Sequence, residues 1–201
     1  MICFRWPLPE RRPAAPQAAR LGCSGGTGQR SRPLSQELRY PLEDQGKIFS
    51  PMKTLLSRRD HDDVLDRLTN VRPNSQPRWG TLSAHQMVCH LSDSFRASLN
   101  EKYISPSSTF MKRTLFKCVA LWVPLPWPRG IKTRPEMDQQ QGGTPLTEFA
   151  SDVEKLRVLL ERFCTSQGEF APHAMLGQMS RTERMRHAYL HMDHHLRQFG
   201  A

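Results

Sequence analysis

Near its C-terminus the chain carries the stretch His187-Ala-Tyr-Leu-His-Met-Asp-His-His-Leu-Arg-Gln-Phe-Gly200, which holds half of its eight histidines. Because an α-helix turns by about 100° per residue, His191 and His195 lie on one face of a helix, one turn apart. Two neutral imidazoles in this arrangement can bind one divalent metal ion, as the paired histidines of zinc-binding helices do. The alternative is a solvated basic helix end, since histidine near a helix C-terminus complements the helix dipole.

This stretch belongs to the last of four predicted long helices. Ser180 and Glu183 have the spacing of a capping box, which predicts a helix from about 181 to 199 with Gly200 as its C-cap. Three earlier segments also place apolar residues at helical spacing. The first begins after Ser57 and ends before Pro73. The second follows Ser83 of the Ser83–Gln86 capping box and covers about 84–100. The third begins after Thr144-Pro145 and covers about 146–163. No strand-like alternation competes, so the sequence predicts an all-α four-helix bundle.

The connection between the second and third predicted helices is less regular but has structure of its own. Phe110–Trp122 can form a helix, which the proline-rich residues 123–128 then end. We expect a lid that packs over the bundle; the alternatives are a membrane-surface contact or a subunit contact, which would make a homodimer. The apolar run is too short and too rich in proline for a membrane span.

Residues 1–51 differ from the rest of the chain in composition. Their prolines, glycines and arginines are typical of disorder, and they contain no apolar segment of a secretory signal. Met52 opens directly into organised sequence. The sequence therefore predicts a disordered tail or a non-native N-terminal extension over 1–51 and one domain over 52–201.

Charge and cysteine content limit the function classes. The net charge of +10 and the pI near 9.9 permit nucleic-acid binding, but the chain has no nucleic-acid-binding motif and its positive residues are scattered, so we expect no such partner. The five cysteines are odd in number, widely spread and without a C-x-x-C pair. This pattern predicts a reducing, cytoplasmic compartment and no disulfide framework.

A metal site with an open position needs a third protein ligand, and helix bundles supply such ligands from facing helices. His85 and His90 are the candidates on the second predicted helix. His90 lies at the edge of the apolar stripe, whereas His85 lies in the first turn, near the helix end. We therefore choose His90, with a hydrogen-bonded imidazole at the edge of the core as the alternative.

Three motifs in combination resemble the DinB/YfiT-like superfamily. They are Trp79-Gly-Thr-Leu-Ser-Ala-His-Gln-Met-Val-Cys-His90-Leu, Pro126-Trp-Pro-Arg-Gly130 and His191-Met-Asp-His-His-Leu-Arg-Gln-Phe-Gly200. The resemblance covers residues 52–201 and is greatest to a bacterial branch known only as a domain of unknown function. It implies an up-down-down-up four-helix bundle and a divalent metal held by His90, His191 and His195.

The resemblance also implies a chemistry. Some relatives in this superfamily are thiol-dependent S-transferases and others are hydrolases, so we expect a small-molecule thiol or another small substrate. Three imidazoles suit zinc or nickel best, with iron, manganese or copper as alternatives. A non-catalytic metal- or ligand-binding bundle is the competing hypothesis, because no general acid or base is evident beyond the weak candidates Glu183 and Asp193.

Other residues are predicted neighbours of the metal. His194 lies about 60° from His191 on the helical wheel and can replace His195 as a ligand. His187, His85 and Gln198 are candidates for the pocket wall or for orienting a ligand. Asp62 or Asp93 can also hydrogen-bond the second nitrogen of a metal-binding imidazole.

Overall fold

The computed structural model describes residues 52–107 and 110–201, with backbone only for 110–114. Within these ranges the chain is helical and has no β-strand, which confirms the all-α prediction. The α-helices are α1 (Arg58–Thr69), α2 (Ala84–Ser98), α3 (Phe110–Trp122), α4 (Phe149–Thr165) and α5 (Arg181–Gln198), and a short 3-10 helix covers Pro135–Met137. The predicted tail or extension over 1–51 lies outside the described residues.

Side-chain caps fix where three of the helices begin. The Ser57 side chain accepts a hydrogen bond from the Asp60 amide at the start of α1. Complete capping boxes begin α2 and α5, at Ser83 with Gln86 and at Ser180 with Glu183. Each box satisfies two backbone N–H groups that have no partner inside the helix, so the serine and the residue three positions later mark the helix start.

The predicted start of the helix after Thr144-Pro145 was wrong. The N-cap of α4 is Glu148, whose carboxylate accepts from the amides of Ala150 and Ser151. The amide and hydroxyl of Thr144 instead donate to the carboxylate of Asp93, over 2.8 and 2.5 Å. Because Asp93 is completely buried, its carboxylate needs these donors, and this demand outweighs the local capping preference of Thr144.

One apolar core joins α1, α2, α4 and α5. α2 packs against both α4 and α5, and α1 packs against α5. Full burial of a large apolar side chain stabilises a fold by roughly 1.5–3 kcal/mol, and each of the four helices contributes such residues. They include Val64, Leu68, Met87, Leu91, Phe95, Leu156, Leu160, Phe163, Met185, Met192 and Leu196.

The connection forms a second, smaller layer. α3 packs against α5, and Leu121 forms an apolar cluster with Leu176 and Met179. The indole of Trp127 donates to the carbonyl of Ala120 over 2.8 Å, which holds the proline-rich segment against the end of α3. The predicted helix over Phe110–Trp122 is confirmed. In the part of the chain that the structure describes, no helix is long and apolar enough to cross a membrane.

Candidate metal centre

Three histidines meet where α2 faces α5. The ring centroid of His90, on α2, lies 5.2 Å from that of His191 and 5.0 Å from that of His195, both on α5. The centroids of His191 and His195 lie 5.0 Å apart. One ligand atom from each ring lies within 4.8 Å of the other two, so the group can hold a metal ion.

The hydrogen bond of His90 decides which of its nitrogens is free. Its Nδ1 lies 3.2 Å from the carbonyl oxygen of Met137, which ends the 3-10 helix. A carbonyl oxygen only accepts, so Nδ1 carries the proton. The lone pair is therefore on Nε2, the atom that faces His191.

Gln198 orients His195 in the same way. The Gln198 amide nitrogen donates to the carbonyl of Trp79 over 2.7 Å, so its oxygen is the atom that lies 2.8 Å from His195 Nδ1. His195 Nδ1 must then be the donor, which leaves Nε2 with a lone pair. Such an outer hydrogen bond fixes the tautomer and the ring orientation of a metal ligand.

His191 completes the set. Its Nδ1 lies 3.2 Å from the hydroxyl of Ser94, which can accept the Nδ1 proton. Its Nε2 lies 3.2 Å from His90 Nε2. For two imidazoles bound to one tetrahedral zinc ion, ligand bonds of 2.0–2.1 Å put the nitrogens about 3.3 Å apart. Two lone pairs at this separation repel each other unless a cation or a shared proton lies between them.

Burial keeps the three imidazoles neutral. Desolvation lowers the pKa of His90 and moves that of His191 well below its ordinary value, with nearby His195 and His90 adding to the effect. Desolvation also lowers the pKa of His195 to about 3. Neutral imidazole is the form that binds metal, so the site is ready for a cation at neutral pH.

A cavity of about 520 Å³ opens beside the three rings. Its walls are largely apolar and come from α3, from the proline-rich segment after it and from the loop around Leu176. The Trp127 ring lies 6.1 Å from His191 and 5.3 Å from His187, centroid to centroid. A small molecule in this cavity would contact the histidines on one side and apolar groups on the others.

The predicted neighbours His194 and His187 both line the cavity. His194 packs edge-on against Trp79, with ring centroids 5.8 Å apart, and it lies outside the group of three converging rings. His187 lies one turn before His191, against Trp127. Of the two rivals at the end of α5, the structure brings His195 rather than His194 into the group.

His85 does not reach this centre. Its Nε2 lies 2.7 Å from Oδ2 of Asp152, on α4, and the thiol of Cys89 lies 3.7 Å from the same oxygen. These three residues form a second group whose ligand atoms lie within 4.8 Å of one another. His85 was predicted to border the metal pocket, but it contacts Asp152 instead and does not line the cavity.

The carboxylates considered at sequence level have other partners. Asp62 contacts His61 and Arg58, and Asp93 holds the connection through Thr144. Glu183 completes its capping box and pairs with Lys117 over 3.0 Å, while Asp193 binds Arg67 over 2.9 Å. None of these carboxylates contacts a ring of the three-histidine group.

Sequence reasoning missed two groups that orient rings of the three-histidine group. Ser94 follows His90 by four residues on α2, so the helical spacing already placed it on the same face. The carbonyl of Met137 left no such signal, because any residue carries one and only the fold brings it to His90. The contribution of Trp127 to the cavity wall was equally unpredictable from periodicity.

Residues 52–201 match the family described as Protein of unknown function (DUF1569). The match covers most of the chain, and the protein belongs to this family. No curated protein and no solved structure matches the chain.

Proposed function

We propose that His90, His191 and His195 bind one divalent metal ion and leave a coordination position open towards the cavity. The observation that carries the proposal is that one ligand nitrogen from each of the three rings lies within 4.8 Å of the other two. The Nδ1 atoms of His90, His191 and His195 contact Met137, Ser94 and Gln198. The Met137 carbonyl and the Gln198 amide oxygen hold the protons of His90 and His195 on Nδ1, and the Ser94 hydroxyl can do the same for His191. A divalent cation bound between the rings would accept the lone pairs that these contacts leave free.

Zinc or nickel suits the donor set best, and iron, manganese or copper are the alternatives. Three neutral imidazoles are borderline ligands that bind several transition metals, and zinc sites with three histidines keep a fourth position open. The separation of 3.2 Å between His90 Nε2 and His191 Nε2 fits tetrahedral coordination.

The proposed activity is a metal-dependent thiol S-transfer or hydrolysis, in keeping with the resemblance to the DinB/YfiT-like superfamily. A divalent ion with an open position lowers the pKa of a bound thiol or water and so supplies a nucleophile at neutral pH. The three histidines hold the ion, and Gln198 and Ser94 fix the rings of His195 and His191. The apolar wall around Trp127 would line the open side.

We propose the topology of the helix bundle and the cellular compartment of the protein as well. α1, α2, α4 and α5 would be the four helices of an up-down-down-up bundle, and their shared apolar core supports this arrangement. The protein would act in the cytoplasm. α3 would form a homodimer contact, which its exposed apolar side chains at Leu115 and Val119 support.

A non-catalytic metal- or ligand-binding bundle is the second candidate. It is favoured by the cavity lining, in which Asp138 is the carboxylate residue among the described residues. Its two oxygens already accept from the Gln140 amide and the Gln141 side chain, over 2.9 and 2.7 Å. A metal-bound protein without a general base would then store or sense a ligand rather than convert it.

Metal analysis of the purified protein tests the proposal. We expect one equivalent of a divalent metal in the wild type and almost none in the His191→Ala/His195→Ala variant. His194→Ala is the matched control, since it removes a histidine from the same helix outside the converging group, and it should keep its metal. Equal metal content in wild type and double variant would overturn the proposal.

Turnover then separates the two candidates. Metal-loaded protein is mixed with low-molecular-weight thiols and electrophiles, and separately with activated esters. The enzyme proposal predicts turnover that is lost in the double variant. Metal binding without turnover on either panel would favour the non-catalytic bundle.

A further inference from the structure

The row of histidines on α5 extends into the cavity beyond the three converging rings. His187 lies one helical turn before His191, lines the cavity and is only 6% exposed. Over residues 52–107 and 110–201, neither of its ring nitrogens has a hydrogen-bond partner. Because protein atoms do not enclose these nitrogens and the residue lines the cavity, the ring is a candidate for contact with a ligand there.

His173 supplies a second polar group at the same place. Its ring lies 4.5 Å from that of His187, centroid to centroid, and it also lines the cavity. The amides of Met175 and Leu176 both donate to His173 Nδ1, each over 3.2 Å. Nδ1 is therefore an acceptor, and the proton of the neutral ring is on Nε2. His173 offers a donor that the loop geometry fixes.

The charge near this pair is positive. The guanidinium of Arg184 is 2% exposed, donates to the carbonyl of Ala171 and has no partner for its Nε among the described residues. Burial lowers the pKa of both His173 and His187, and the charge of Arg184 adds to this effect. Neutral N–H donors beside a buried cation favour an oxygen acceptor, above all an anionic one.

We propose that His187 and His173 form a subsite that binds a carboxylate or carbonyl oxygen of the substrate. This inference rests on the proposed function, because the other end of the same molecule would be the thiol at the metal. The tilted Trp127 ring, 5.3 Å from His187, and the apolar walls would contact the body of the substrate. The substrate class is thus a small, largely apolar thiol that carries an acid or carbonyl group.

Two thiols of equal carbon number test the subsite. Protein loaded with Co²⁺ is titrated with 3-mercaptopropionate and with 1-propanethiol, and the thiolate-to-cobalt absorption reports binding of each. Both ligands present a thiol to the metal, but only the first has a carboxylate. We expect wild-type protein to bind 3-mercaptopropionate roughly tenfold more tightly, since a hydrogen bond to a charged group is worth about 1.5–3 kcal/mol.

The variants His187→Phe and His187→Gln sharpen the test. Phenylalanine keeps an aromatic ring but removes the polar atoms, so the preference for the carboxylate should fall roughly tenfold. Glutamine keeps a donor and should retain part of the preference. Cobalt uptake by each variant shows that it has folded with its metal centre intact.

The outcomes separate the two levels of the proposal. If wild-type protein takes up cobalt and binds the two thiols equally, or if His187→Phe keeps the full preference, the subsite is overturned while the metal centre stands. If wild-type protein takes up no cobalt, the proposed function falls and the subsite falls with it.

Discussion

The two histidines of α2, His85 and His90, have different chemical surroundings. His85 Nε2 lies 2.7 Å from a carboxylate oxygen of Asp152, a donor–acceptor contact that a proton satisfies. His90 Nε2 lies 3.2 Å from His191 Nε2, and the contact of His90 Nδ1 with the Met137 carbonyl leaves that Nε2 with a lone pair. In both groups, one possible ligand atom from each residue lies within 4.8 Å of the other two. The difference teaches that the hydrogen-bond partners of each ring, as well as proximity, bear on which group is suited to a metal ion.

Asp152 has little capacity left for a cation. Beyond His85, its oxygens accept from the amide and hydroxyl of Thr147 and from Lys155, over 2.9, 2.8 and 2.8 Å. The Cys89 thiol beside it is buried, which raises its pKa to about 12 and keeps it protonated. The group around Asp152 therefore fixes the start of α4 against α2.

The largest expected effect is loss of metal from the three-histidine group. His191→Ala removes one of three ligands, and metal affinity should fall by more than the roughly 10–100-fold typical of outer partners. Competition against a chromogenic chelator measures the change. Cys89→Ala is the matched control in the second group; if it weakens metal binding as much as His191→Ala does, the contrast between the groups is wrong.

Asp152→Ala should show the reverse pattern, with metal content kept and stability reduced. The substitution leaves the Thr147 amide and its neighbours without their acceptor, and a cost of about 2–3 kcal/mol in the free energy of unfolding is expected. Urea denaturation of metal-free protein measures this cost, and metal analysis follows alongside. A loss of metal with unchanged stability would contradict the structural assignment of Asp152.

Acid should affect the two groups in different pH ranges. His195 has a pKa of about 3 in the folded protein against an ordinary value of 6.5, so its neutral form favours the fold above pH 6.5. That contribution is lost as pH falls from 6.5 towards 3, by at most about 1.4 kcal/mol per pH unit for each such histidine.

Asp152 also loses its contribution as pH falls, but over a lower pH range. Despite burial, hydrogen bonds from Lys155, Thr147 and His85 lower its pKa below the ordinary 3.8, so its contribution persists above that value and is lost only at lower pH. Thermal melts of metal-free protein between pH 8 and 3 should therefore show an early decline in the wild type. His195→Asn should reduce the decline above pH 4, and an unchanged decline would contradict the assignment.

The smallest effect is expected at Gln198. Gln198→Leu removes the acceptor of His195 Nδ1 without removing a ligand, and metal affinity should fall by roughly tenfold. Gln198→Glu restores an acceptor and should recover most of that loss. Chelator competition compares the variants, and equal losses in both would show that Gln198 acts through packing alone.

Much of the fold could be predicted from local sequence. The capping boxes at Ser83 and Ser180 placed two helix starts correctly, because caps are short-range interactions. Thr144-Pro145 had the same local appearance and failed, since the buried carboxylate of Asp93 recruits Thr144 from 51 residues away. Local patterns predict helix ends well until a long-range hydrogen bond competes for the same side chain.

The candidate site was predictable to a similar degree. Helical spacing joined His191 with His195, and the position of His90 at the edge of an apolar stripe indicated the third ring. The pairing of His85 with Asp152 depends on how α2 and α4 meet, which spacing within one helix does not contain. The same holds for the Met137 carbonyl and for the contact of His173 with His187.

The contact between His90 and His191 joins residues that are 101 positions apart in the chain. A bound ion at this point acts as a cross-link that closes a loop of that length. In polymer terms, closing about 100 residues restricts the unfolded chain by about 4.7 kcal/mol when the link is covalent, and a metal link approaches this value while it holds. The ion would thus raise the free energy of unfolding of the chain, and chelation would lower it.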